Sequence, residues 1–179
     1  MDYRHSHPFI NCFIPFEMKL SEYLTLAEVI RSDSAKRLGI DNIPGAVELD
    51  NLKAIGINVY DKIRTHFRCP IYVSSGFRSK RLNRALNGSA TLSQHCKGEA
   101  LDLDQDGSPH GVTNREVFDY IKNNLLFDQL IAEFPKNGIP DWVHVSYKKN
   151  GIQRKEILIA KKVYNKTIYI QYKTDNDLI

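Results

Sequence analysis

The chain has few cysteines, and those it has form no pattern. Cys12, Cys69 and Cys96 are far apart, odd in number and include no Cys-x-x-Cys pair. This argues against a disulfide framework and against a structural zinc knot built from cysteines. Cys96 directly follows His95, but adjacent residues of a regular element point apart, so we interpret Cys96 as a small buried thiol.

Long apolar runs are also missing. No stretch approaches the ~20 apolar residues that span a bilayer, so we expect no membrane span. Residues 1–8 lack the basic and then apolar pattern of a secretory signal, so we expect the chain to be cytoplasmic when synthesised. The net charge is only +4 and the basic residues are dispersed, which argues against a nucleic-acid partner.

No repeat, low-complexity tract or linker divides the chain. Its 179 residues and its hydrophobic content of 42% suit one domain with its own core. Residues 1–20 contain Pro8 and Pro15 but no clear hydrophobic period, so we predict an irregular N-terminal arm. Residues 21–179 are predicted to form the domain itself.

Hydrophobic periodicity and capping signals predict the elements of this domain. Thr25–Glu28 and Thr113–Glu116 are capping boxes that mark helix starts, and Gly39 marks a helix end. The predicted helices are 25–39, 46–67, 79–87 and 113–124, and 87–91 is a predicted loop. The predicted strands are 71–74, 99–103, 128–134, 142–147, 155–162 and 166–173. Together they predict an α+β fold with a small, mostly antiparallel sheet and packed helices.

Potential metal ligands are the most informative feature of the chain. His95 and Asp102 are close in sequence, and His144 follows some forty positions later. Two imidazoles and a carboxylate leave a fourth position for water, which is the composition of a catalytic zinc site. Imidazole ligands favour zinc over calcium. The small residues Gly98 and Ala100 allow close backbone approach where both side chains must reach one metal.

Asp141, three residues before His144, is the predicted catalytic base. A zinc hydrolase needs a nearby carboxylate to take a proton from water. Residues 141 and 144 would face opposite ways on a regular strand, but Gly138-Ile-Pro140 predicts a turn that bends Asp141 towards the metal. The alternative is that Asp141 only caps the start of a strand.

Several short segments occur in one order along the chain. They are Ser75-Gly-Phe-Arg78-Ser79, Leu82-Asn83, Ser93-Gln-His95-Cys-Lys-Gly98-Glu-Ala100-Leu-Asp102 and Asp141-Trp-Val-His144-Val-Ser146. In this order, over roughly residues 24–172, the chain resembles the zinc D-alanyl-D-alanine carboxypeptidase family of peptidoglycan peptidases. That family includes phage endolysins and vancomycin-resistance D,D-dipeptidases.

The resemblance implies a hedgehog-like zinc peptidase domain over 21–179 and one Zn²⁺ bound by His95, Asp102 and His144. It implies hydrolysis of peptidoglycan stem peptides or muropeptides, as a carboxypeptidase or an endopeptidase. Without a secretory signal, it further implies a phage-type or prophage-type enzyme that acts on the cell wall after release by another route. The alternatives are a non-catalytic zinc module that binds wall fragments or a protein, and a structural phage component.

Other residues receive roles from the same resemblance and from their chemistry. Arg78 is predicted to bind a substrate carboxylate or to stabilise the oxyanion. Ser93 resembles the family's substrate-contacting serine, and Glu133 is a candidate for substrate contact at the end of an apolar strand. Trp142 is either a wall of the cleft or a core residue.

A calcium loop is the remaining alternative for the acidic residues. Asp102-Leu-Asp104-Gln-Asp106-Gly107 matches the start of an EF-hand loop, but its twelfth position is Thr113 instead of a bidentate glutamate. We therefore interpret Asp104 and Asp106 as polar loop residues.

Overall fold

The structure is a computed structural model that describes residues 18–86 and 93–179. The strands of this part of the chain form a single sheet. The predicted loop at 87–91 and all but the end of the predicted arm at 1–20 lie outside the described residues. In the described residues the strands are β1 (Val73–Ser75), β2 (Ala100–Leu103), β3 (Gln129–Glu133), β4 (Trp142–Ser146), β5 (Glu156–Val163) and β6 (Lys166–Gln171).

The strands lie in the order β1-β2-β4-β3-β5-β6. All neighbouring pairs are antiparallel except β3 and β5, which are parallel. The predicted α+β fold with a mostly antiparallel sheet is confirmed. The first predicted strand, 71–74, begins two residues later than expected, at Val73.

One face of the sheet packs on the helices and forms the core. Side chains alternate between the two faces of a strand, so each strand contributes every second residue to this face. The buried residues are Leu101, Leu103, Leu130, Ala132, Val143, Val145 and Ile159. The other face carries Asp102 and His144, which are direct register partners on β2 and β4.

The first predicted helix is in fact two helices. Helix α1 (Leu26–Ile30) begins with the predicted capping box at Thr25, and α2 (Asp33–Leu38) ends at Gly39 in the left-handed conformation. Between them Arg31 leaves the helical conformation, and the Ser32 side chain accepts the N–H of Ala35 as a new N-cap. The prediction of one helix over 25–39 was wrong because a serine competes for backbone donors.

The other predicted helices are confirmed. Helix α3 (Ala46–Ile55) continues through a π-helical segment (Gly56–Tyr60) into α4 (Asp61–Phe67), and its buried face is Leu52, Ile55, Val59 and Ile63. Helix α5 is Lys80–Ala85. Helix α6 is Asn114–Asn124 and starts with both hydrogen bonds of the predicted capping box. None of the described helices is long and apolar enough to cross a bilayer.

The predicted terminal hairpin is present as β5 and β6. Tyr164 and Asn165 connect the strands with φ values of 48° and 61°. Two consecutive positive φ values are typical of the tight turn that matches the twist of a hairpin. Strand β6 forms an edge of the sheet.

Candidate metal centre

Three side chains converge on the face of the sheet opposite the helix-packed core. One ligand atom each from His95, Asp102 and His144 lies within 4.8 Å of the other two. His144 Nδ1 is 2.8 Å from Asp102 Oδ1, and His95 Nε2 is 3.3 Å from the same oxygen. Both histidines are buried, and Asp102 is only slightly exposed. The structure brings the three predicted ligands together.

Two adjacent strands and a short turn place these atoms. Asp102 on β2 lies directly opposite His144 on β4, and side chains of such a pair are about 5 Å apart at Cβ. His95 comes from a 3₁₀ turn, Gln94–Lys97, that precedes β2. Gly98 ends this turn at a φ of +69°, and a Cβ there would collide with the carbonyl of Glu48. The turn therefore requires glycine at this position.

The His95 ring is oriented by the backbone of the segment after β1. Its Nδ1 lies 2.7 Å from the carbonyl oxygen of Gly76, to which it donates. The N–H of Arg78 donates to the carbonyl oxygen of His95 at 3.2 Å. A backbone acceptor on one ring nitrogen fixes the tautomer and leaves the lone pair of the other nitrogen, Nε2, available to a metal.

The charge states of these groups suit a metal. Burial alone would raise the pKa of Asp102, but the charge of His95 and hydrogen bonds from both histidines hold that pKa well below its usual range. Burial lowers the pKa of His144, although Asp102 opposes this. A carboxylate and a neutral imidazole are the forms that bind metal. With two imidazoles and one carboxylate, the donor set fits Zn²⁺.

Glu133 is a carboxylate that the sheet register places beside this group. It lies opposite Trp142 on β4 and therefore diagonally across from His144, on the same face. Its exposure is only 7%. Burial, reinforced by the charge of Asp102 and opposed by His95, raises the pKa of Glu133 to about 7. A carboxyl group with this pKa exchanges protons readily near neutral pH.

Asp141 lies at the turn before β4, as predicted. Its carboxylate pairs with Lys136 Nζ at 3.1 Å, and its N–H donates to the carbonyl oxygen of Glu133. Gly138 has a φ of +84° in this turn. The carboxylate of Asp141 is not among the atoms that converge with the three ligands. Its role as the base stays a prediction.

Arg78 lies near the three candidate ligands, and two hydrogen bonds of its guanidinium group are long. Nη2 is 3.4 Å from Ser75 Oγ, and Nη1 is 3.5 Å from Asn83 Oδ1. Its positive charge is one of the influences that lower the pKa of His144. An arginine with such long contacts retains donors for a substrate anion.

Ser93 and Trp142 border accessible space. Ser93 precedes the turn that carries His95 and lines a cavity of about 660 Å³ together with Asn83, Cys96 and Glu99. Trp142 is partly exposed and its ring lies 5.3 Å from that of Phe134. Trp142 is therefore not a fully enclosed core residue, and its place in a wall of the cleft stays a prediction.

The acidic loop after β2 is not an EF-hand. Asp104 Oδ1 accepts the N–H of Asp106 and a hydrogen bond from Asn114 Nδ2. The same Asn114 nitrogen donates to the carbonyl oxygens of Pro140 and Asp141. The Asn114 amide therefore supplies the hydrogen bonds that these oxygens accept, where a calcium loop would have the ion. A strand precedes the loop instead of a helix. The interpretation of Asp104 and Asp106 as polar loop residues fits these contacts.

Comparison with known protein families identifies the family of this chain. The model of a family described as Peptidase M15 matches residues 22–146. The chain belongs to this family. No curated protein matched the chain. The resemblance to zinc D-alanyl-D-alanine carboxypeptidases is thereby confirmed, and the matched residues include all three candidate ligands and Glu133. The protein is a metallopeptidase.

In this M15 peptidase, a buried ion-pair network supports the ligand turn, and the sequence did not reveal it. Asp128 is fully buried, and its oxygens accept from Arg154 Nε at 2.8 Å and Nη2 at 2.7 Å. Lys148 Nζ is 2.9 Å from Oδ1, and Gln94 Nε2 is 2.9 Å from Oδ2. Gln94 immediately precedes His95, so the network anchors the turn that carries a ligand. Its partners are distant in sequence, so no local pattern could have indicated it.

Asp128→Asn is expected to lower the free energy of unfolding at pH 7 by ~3 kcal/mol, because it removes the charge of a fully buried carboxylate that is paired with Arg154 and Lys148. The figure lies at the low end for buried pairs, since Arg154 and Lys148 are partly exposed and can be hydrated. Urea titration would measure it. Asp50→Asn is the matched control, because Asp50 pairs with Lys149 at the exposed surface and should have no measurable effect.

The same variant should change the acid sensitivity of the protein. Burial alone would raise the pKa of Asp128, but hydrogen bonds from Arg154 and Lys148 hold it well below its usual range. A lowered folded-state pKa gives stability that is complete above the unfolded value of about 3.9 and is lost as the pH falls towards the folded value. The stability difference between wild type and Asp128→Asn should therefore shrink below pH 4. A difference that stays constant down to pH 2 would contradict this account.

Proposed function

We propose that this M15 peptidase binds one Zn²⁺ through His95, Asp102 and His144 and hydrolyses peptide bonds in the stem peptides of bacterial peptidoglycan. The observation that carries the metal site is the convergence of their three ligand atoms within 4.8 Å. Zinc bound there would supply the Lewis acidity that activates water and polarises a scissile carbonyl. The remaining chemistry falls to side chains around it.

Glu133 is the residue best placed to move protons. Its carboxylate would accept a proton from the attacking water and pass it to the nitrogen of the leaving amine. Burial on the same face as His144 and a pKa raised to about 7 support this role. Asp141 is the second candidate, and its ion pair with Lys136 would have to open before it could act.

The substrate class is supported by the ordered motifs and by charge. The segments around Arg78, His95 and His144 occur in the order found in peptidases of the bacterial wall. The net charge of +4 suits an anionic polymer. Arg78 offers donors to a carboxylate or to the oxyanion of the tetrahedral intermediate.

Digestion of defined muropeptides tests this proposal. Purified protein with zinc would be incubated with stem pentapeptides, cross-linked dimers and a control peptide made only of L-amino acids, and the products would be weighed by mass spectrometry. Loss of a terminal D-alanine would identify a carboxypeptidase, whereas internal cleavage would identify an endopeptidase. If none of the stem peptides is cut while the L-peptide is, the proposed substrate class is wrong. A zinc-loaded protein without turnover on any peptide would support the non-catalytic module instead.

Arg78→Lys is expected to lower kcat for every substrate, because lysine cannot reproduce the two parallel hydrogen bonds of arginine to an oxyanion. The activation free energy should rise by ~2–4 kcal/mol. The assay compares a stem pentapeptide with its C-terminal amide. Arg81→Lys is the control, since Arg81 is exposed on the same chain segment. If KM rises only for the free carboxylate, Arg78 grips the peptide terminus instead. Wild-type kinetics from Arg78→Ala would exclude both roles.

A further inference from the structure

The C-terminal hairpin, β5 and β6, extends the face of the sheet that carries Asp102 and His144. The register places Trp142 opposite Glu133, Glu133 opposite Ala160, and Ala160 opposite Tyr169. Side chains of register partners point to the same face. Tyr169 on β6 therefore shares a row with Glu133, two strands away, on the face that carries His144.

The small residue between them keeps the two larger side chains close. Ala160 is fully buried although it has only a methyl group, so larger neighbours cover it. Its partners across the sheet on this face are Glu133 and Tyr169. Burial raises the pKa of Tyr169, and the charges of Glu133 and Asp102 raise it further. The phenol therefore lies within the electrostatic influence of Glu133 and Asp102 and remains a hydrogen-bond donor at neutral pH.

The fold itself does not require a tyrosine here. Tyr169 is 54% exposed. Within residues 18–86 and 93–179, no hydrogen bond holds its hydroxyl and no other ring packs on its own. Its neighbour Ile170 faces the core and anchors the strand instead. A half-exposed aromatic side chain beside an active site is suited to substrate contact.

Family membership assigns nothing to this residue. The family match ends at residue 146, whereas the hairpin runs from Glu156 to Gln171. We propose that Tyr169 contacts the peptide substrate beside Glu133, so that the hairpin β5–β6 forms one wall of the cleft and contributes to substrate affinity. This inference rests on the proposed peptidase function. The ring would pack against the peptide, and the hydroxyl would donate to one of its carbonyl or carboxylate oxygens.

The test uses the full-length zinc-loaded chain with Tyr169→Ala and Tyr169→Phe. Tyr164→Ala is the matched control, because Tyr164 lies at the tip of the same hairpin and is 96% exposed. KM and kcat are measured with a stem pentapeptide, and Kd is measured by calorimetry with a phosphinate analogue that is not hydrolysed. Zinc content and Tm are recorded for each variant.

Tyr169→Ala should raise KM and Kd about tenfold with kcat nearly unchanged, because it removes ground-state binding. Tyr169→Phe should raise them less, since the ring remains. Values within twofold of wild type for Tyr169→Ala, or an equal rise for Tyr164→Ala, would overturn the proposal. If the wild type cuts only peptides unrelated to peptidoglycan, the proposed substrate is wrong, and the same comparison on those peptides still decides the role of Tyr169.

Discussion

Replacing His144 with alanine is expected to abolish both zinc binding and peptide hydrolysis. The variant keeps only His95 and Asp102, and two ligands hold zinc poorly where three converge in the wild type. Because Lewis-acid stabilisation is worth several kcal/mol, turnover should fall by ~10²-fold or more. Elemental analysis by mass spectrometry should find about one zinc per wild-type chain, removable by a chelator, and almost none in the variant.

His110→Ala is the control for this experiment. His110 lies in the exposed loop between β2 and α6 and does not belong to the converging group. The control should therefore keep both zinc and turnover. A fully metallated His144→Ala protein would show that the metal lies elsewhere in the chain. A metal-depleted His144→Ala protein with normal turnover would show that the chemistry does not need zinc.

The three candidate ligands that the structure brings together could be selected from the sequence because their chemistry is distinctive. His95, Asp102 and His144 are residue types that zinc prefers, and their order along the chain is characteristic of the family. The capping box at Thr113 was equally predictable, because both of its hydrogen bonds join residues three positions apart. Local patterns therefore predicted most of the elements and the candidate ligands on them, but not the break at Ser32.

Features that depend on strand pairing could not be predicted in this way. The proposed role of Glu133 depends on which residue of β4 lies beside it, and that register is set by packing across the sheet. The contact of Asp128 with Gln94 joins residues 34 positions apart. Tyr169 gains its position only because β5 pairs with β3 in parallel. In each case the relevant neighbour is set by how strands or distant segments pair, which no local pattern specifies.

Two carboxylates compete for the role of the base, and a pair of variants distinguishes them. Glu133→Gln should keep zinc but lower turnover by ~10²-fold or more, because a buried amide cannot accept the proton. Asp141→Asn removes the carboxylate that the sequence predicts as the base, and its turnover should fall by ~10²-fold or more only if that carboxylate leaves Lys136 and takes the proton. Zinc content and kcat/KM of both variants are measured together.

The pH profile separates a proton-transfer role of Glu133 from a structural one. Only the carboxylate form can accept a proton, so wild-type kcat/KM should rise with pH through the pKa of Glu133. Burial raises that pKa to about 7, and a bound divalent cation would lower it, so the acidic limb should lie below pH 7. Glu133→Gln should lose this limb, whereas a variant that only disturbs packing would keep it at reduced height. If the limb persists in Glu133→Gln and disappears in Asp141→Asn, the base is Asp141, as the sequence predicted, because opening of its pair with Lys136 would free the carboxylate for catalysis.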